Sequence, residues 1–154
     1  MGFYLNRFPK ADKETRLLYS NEDTRLMGAL FELFAQTYPA YDLAKFVESF
    51  MRSRLREAMD SCDSRLLNLH SKRLLELYIK EDLQGTDIFH VTGKPTQYRE
   101  NELRWVGEAY VRLSIHMGWS SKETIEKVPF EIMHSAFQVG HEMGWSSFLS
   151  RFDA

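Results

Sequence analysis

The pentapeptide Met-Gly-Trp-Ser-Ser occurs twice, at Met117–Ser121 and at Met143–Ser147, each time after a run whose apolar residues recur three and four apart. That punctuation commits the chain to helices joined by tight corners. A glycine can take the left-handed conformation that closes a helix. The indole behind it can fold back onto the helix just left, and a following serine can cap the next one. The two starts lie 26 residues apart and the flanking residues agree poorly. Two units are too few for a solenoid, so the repeat predicts one turn solution used twice.

Helical spacing continues upstream. Leu26, Leu30, Leu33 and Phe34 mark one buried face in a helix that starts near Asn21 and stops at Pro39. Asp42 can cap a second helix, whose stripe is Leu43, Val47, Phe50, Met51, Leu55 and Ala58. Leu66 to Ile79 predicts one long helix or two short ones divided near His70-Ser71, ended by Gly85. Leu103, Val106, Tyr110, Leu113 and Met117 form the strongest stripe. Ser120-Ser121-Lys122-Glu123 fits a capping box. Pro129 opens a helix that is apolar over much of its girth and is therefore expected at the centre. The period vanishes from about 84 to 98, which predicts a long irregular contact loop. The fold expected is all-α: a single compact bundle of five to seven helices, with 101–117 and 129–143 in the middle. Residues 1–20 are expected to lie extended, ahead of a helical domain over 21–154.

Length and charge narrow the function. A chain of 154 residues with 44% hydrophobic residues can bury a real core. A net charge of −2 neither marks a nucleic-acid binder nor mimics nucleic acid. Cys62 is the only cysteine, in keeping with a reducing cytosol, and no apolar run approaches a membrane span. The expected location is cytoplasmic, with no membrane partner.

No catalytic pattern emerges. There is no Gly-x-Ser-x-Gly elbow, no phosphate-binding glycine loop and no His-Glu-x-x-His. His116 and His141 each fall in a last helical turn, where a cationic imidazole complements the dipole. His134 shares a face with His141, seven residues on. Neither enzyme, metal nor cofactor is called for, and a binding role is favoured. Phe3, Tyr4, Phe89, Tyr98 and Trp145 lie in or beside irregular segments and are candidate contact anchors, Trp145 being the one better explained by core packing. The partner expected is another protein, with a homodimer as one form of it. A second reading uses Arg52, Arg54 and Arg56 as a basic face for nucleic acid, although Glu48, Glu57 and Asp60 are interleaved with them.

The stretch Arg104-Trp105-Val106-Gly107-Glu108-Ala109-Tyr110, with Ser121-Lys122-Glu123 and Pro129-Phe130-Glu131, resembles a group of small bacterial helical proteins encoded beside toxin-like genes. The resemblance covers roughly residues 98–152. It implies a partner-binding accessory protein, of antitoxin or immunity type, and assigns no functional residue; an inhibitor is a further form that the binding role could take.

Overall fold

The computed structural model describes residues 9–83 and 98–153. Ten helices and no β-strand lie within them. The all-α expectation holds, with more and shorter helices than the stripes suggested.

The frame is a pair of 18-residue helices, α2 (Ser20–Thr37) and α7 (Glu100–Met117). Met27, Leu30, Phe31 and Phe34 of the first are buried with Leu103, Val106, Ala109, Tyr110 and Leu113 of the second. Glycine sets how closely they approach. A Cβ on Gly107 would stand 2.6 Å from the carbonyl oxygen of Met27, and one on Gly28 would stand 3.1 Å from the carbonyl oxygen of Arg104. The two backbones therefore touch where side chains would ordinarily hold helices 8–10 Å apart. At the rim of this crossing Arg104 donates through Nε (2.8 Å) and Nη2 (3.0 Å) to the Glu32 carboxylate.

The expected second helix is two helices, α3 (Leu43–Met51) and α4 (Arg54–Asp60). Asp42 caps the first, as expected, by accepting from the Lys45 N–H. Ser53 makes the break. Its hydroxyl donates to the Phe50 carbonyl (2.7 Å) and accepts from the Arg56 N–H (3.0 Å), serving both ends at once. The apolar stripe ran on across the joint because both halves bury it. Next come α5 (Ser64–Leu67) and α6 (Ser71–Glu81), so the region is two helices divided just before Ser71. His70, and not Ser71, is the flanking residue of α6. The expected stop at Gly85 lies outside the described residues, as does nearly all of the expected contact loop.

Residues 9–20 are not wholly extended. Lys13–Leu18 forms α1, capped by the Asp12 carboxylate on the Thr15 N–H. It lies across the end of α7. Lys10 donates to the Gly118 carbonyl (2.6 Å), Lys13 to that of His116 (3.0 Å) and Arg16 to that of Trp119 (2.7 Å). Lys13 satisfies a carbonyl that the helix end leaves open, and all three cations sit at its negative pole.

The two pentapeptides adopt different structures. In the first, Gly118 is left-handed (φ 72°), and the Trp119 N–H reaches back to the Ser114 carbonyl at 2.9 Å. Ser120 then caps α8 (Ser121–Lys127) with Glu123 returning to its N–H. In the second, α9 (Phe130–Gly140) has already ended three residues before the repeat. Gly144 is extended (φ −67°, ψ 152°) and merely precedes α10 (Trp145–Ser150), with Ser146 and Ser147 inside that helix. The single turn solution expected for both holds only for the first.

Helix α9 is also not central. Only Phe130, Met133 and Gly140 are buried along it, while Ile132 and Val139 are 59% and 56% exposed. It lies against one flank of α7, and α2 occupies the middle.

Two outcomes test this frame. Gly107→Ala should lower stability by about 1–3 kcal/mol, although alanine favours helix by about 1 kcal/mol. An unchanged urea midpoint would mean that the helices do not meet so closely. The bond from Arg104 holds Glu32 below its ordinary carboxylate pKa of 4.5. A depressed folded pKa gives stability that is present above the unfolded value and lost as pH falls through the folded one. Glu32→Gln should therefore be weaker than the native chain at neutral pH, by no more than about 1 kcal/mol for so exposed a pair, with the gap closing in acid.

Candidate functional site

A buried ion cluster lies where α1, α2, α4 and α8 converge. Arg56 is fully buried, with 0% of its surface exposed. Its Nη1 donates to Asp23 Oδ1 at 2.6 Å and its Nη2 to Asp23 Oδ2 at 2.8 Å, a fork-on-fork pair between α4 and α2. Nη2 also lies 3.1 Å from Asp60 Oδ1, and Nε donates to the Ser121 hydroxyl at 2.8 Å. The Ser121 hydroxyl donates to Asp60 Oδ1 (2.6 Å), and its N–H donates to Oδ2 (2.7 Å). Burial works against the charge of Arg56, but Asp23 and then Asp60 outweigh it and raise the pKa. The guanidinium stays ionised. Arg16 closes the cluster, with Nη2 at 2.8 Å from the Ser114 hydroxyl and 3.5 Å from Asp60. Two cations face two anions, and among the described residues the buried Arg16 Nε finds no hydrogen-bond partner. Every oxygen of Asp23 and Asp60 is engaged, so the cluster offers no free acid or base. It fixes positions.

Arg56 is therefore misplaced in the expected basic face. The other two arginines are exposed, but they do not form a row with it. Arg52 pairs with Glu126 across α8 at 2.9 Å. The backbone of Arg54 donates to Asp82 at the end of α6. Phe3, Tyr4 and Phe89 lie outside the described residues. Tyr98 is half-buried, edge-on to Phe130 (5.5 Å) and His134 (4.5 Å), and so packs into the body.

The histidines take separate partners. His116 meets Asp153 at 2.8 Å, His134 meets Glu102 at 3.2 Å, and His141 meets the carbonyl of Phe137 in its own helix. His134 and His141 do share a side of α9, stacked on Phe130 and Phe137 respectively. Among the described residues no three His, Cys, Asp or Glu side chains are placed to hold a metal ion. No helix among them is long and apolar enough to cross a membrane.

Among the described residues, large apolar side chains are exposed at Leu17 and Leu18 on α1 and at Ile132 and Val139 on α9, which forms a ledge with α10 and the outer side of α7. Ile132 and Val139 stand out from α9, with Ala136 between them. On the packed side of α9, Trp105 stacks on Trp145 at 5.5 Å and meets Phe137 edge-on at 5.7 Å. Arg112 lies 4.7 Å over the Trp145 ring. Gly140 admits this packing, since a Cβ there would stand 2.7 Å from Trp105. Trp145 is thus packed, in keeping with the core reading given to it, and only partly exposed at the edge of the ledge. Sequence reasoning missed the Ile132–Val139 row as surface. It also missed Asp23, Asp60 and Arg16 as buried. The one signal for the cluster was the spacing of Arg56 and Asp60, four residues apart on one helix.

Comparison with known protein families, with curated proteins and with solved structures finds no match to this chain.

Removing Arg56 would strand the buried Asp23 carboxylate and leave Asp60 with Ser121 and the more distant Arg16. Arg56→Met is expected to cost about 3–5 kcal/mol in urea unfolding. Arg52→Met, an exposed control, should cost less than about 1 kcal/mol. Similar losses for the two would refute the role given to the cluster.

Proposed function

We propose that this chain is a protein-binding accessory module, of the antitoxin, immunity or inhibitor kind, that acts by covering a partner's working surface. The observation that carries the reading is the outward row of α9. A helix at the edge of a fold needs one apolar row to pack and a polar row toward water. This helix has a second apolar row, with Ile132 and Val139 each more than half exposed. Trp105, Trp145 and Arg112, residue types that dominate binding energy where proteins meet, are partly buried where α7, α9 and α10 meet. Glu131, Gln138 and Glu142 give the row a polar rim. The rigid frame beneath means that little ordering would be lost on docking.

The rival reading, a nucleic-acid regulator using the second helix, loses Arg56, the last of its three arginines. Arg56 could reach a phosphate only by breaking its bonds to Asp23.

The test is capture from the native host with the native chain and with Ile132→Asp, Val139→Asp and Leu18→Asp. Leu18 is 79% exposed on α1 and serves as a surface control. One dominant protein should be retained at high salt by the native chain and by Leu18→Asp, and lost by about tenfold or more with either α9 variant. Equal retention by all four chains, or recovery of nucleic acid alone, would defeat the proposal.

A further inference from the structure

A hollow of about 280 Å³ opens between the chain ahead of α1, the α3–α4 joint and the start of α8. Lys10, Arg52 and Lys122 line it, each from a different stretch, together with Glu57, Asp60 and Ser120. The charges are unequal. Asp60 is already spent, with Oδ1 taken by the Ser121 hydroxyl and Arg56 and Oδ2 by the Ser121 N–H. Of the lining acids, that leaves Glu57 against three cations. Glu126 answers Arg52 from outside the lining, in a pair whose side chains are 45% and 47% exposed. Such a pair is worth about 1 kcal/mol or less and exchanges readily. Lys10 gives one donor to the Gly118 carbonyl, and an ammonium has two more. Ser120 accepts from the Glu123 N–H at 3.1 Å and keeps its own O–H to donate.

A concave wall with surplus positive charge concentrates anions. An arginine fork beside two ammonium groups matches the several oxygens of a phosphate better than the two of a carboxylate. We propose that this hollow binds a phosphate-type dianion, held by Lys10, Arg52 and Lys122, with the Ser120 hydroxyl donating. The site is separate from the α9 ledge, and it stands or falls independently of the protein-binding reading.

Inorganic phosphate, titrated at low ionic strength into the isotope-labelled full chain, tests it by amide chemical shifts. Saturable shifts should centre on Lys10, Arg52, Ser53 and Ser120 to Lys122. Arg52→Gln and Lys122→Gln should each weaken the apparent Kd by about tenfold. Both positions are exposed, so both variants should fold, as their unperturbed spectra would confirm. Lys72→Gln on α6, exposed and outside the hollow, should leave the Kd unchanged. Acetate should bind distinctly more weakly than phosphate. Shifts that never saturate, that spread over the basic residues generally, or that weaken equally with Lys72→Gln would overturn the site. An equal response to acetate would overturn the choice of ligand.

Discussion

A guanidinium shut away from water must find a partner inside the protein for its charge and for its donors, or the fold loses several kcal/mol. Arg56 meets that demand by drawing on three helices at once. Asp23 comes from α2, Asp60 from its own helix α4, and Ser121 from the first turn of α8. Arg16 then ties α1 to the same carboxylate and to the end of α7. Short helices such as α1, α4 and α8 are too short to hold themselves in water. Their placement follows from this shared contact and from the apolar faces they bury around it. The directional part is decisive, because apolar burial alone tolerates sliding and a forked ion pair does not.

The other fixed point is the α2–α7 crossing. Gly28 and Gly107 let two backbones touch, which pins both the depth and the position of the crossing. The cluster sits toward one end of this pair, where the chain reverses at Gly118. The ledge sits on its outer flank, where α9 and α10 cover Trp105. The frame thus puts its polar demands inside and leaves an apolar row outside, the reverse of the usual allocation for an edge helix. That inversion, more than any single residue, is the ground for reading the chain as a binding module.

Much of the helix plan was legible. Apolar spacing located α2, α3 and α7, and the capping chemistry of Asp42 and Ser120 marked their neighbours correctly, because caps act within one turn. The break at Ser53 was hidden, since the stripe remains in phase across it. Arg56 was hidden for the opposite reason. Its neighbours Arg52 and Arg54 look alike in sequence, and only their helical phase and the arrival of Asp23 from 33 residues away separate them. Girth-wide apolarity marked α9 as central, but that pattern cannot distinguish a helix buried all round from one with an exposed second row.

What the sequence alone determined is therefore local: helical periods, caps, and the left-handed joint at Gly118, all set by groups within about one turn of each other. The repeated pentapeptide shows the limit. The same five residues close a helix at Gly118 and open one at Gly144, because α7 reaches its glycine still wound while α9 has already stopped at Gly140. Tertiary structure decided which charges are buried, which apolar row faces water and where α9 ends. Each of these depends on which distant surface arrives to pack, and a local pattern of residues carries no record of that arrival.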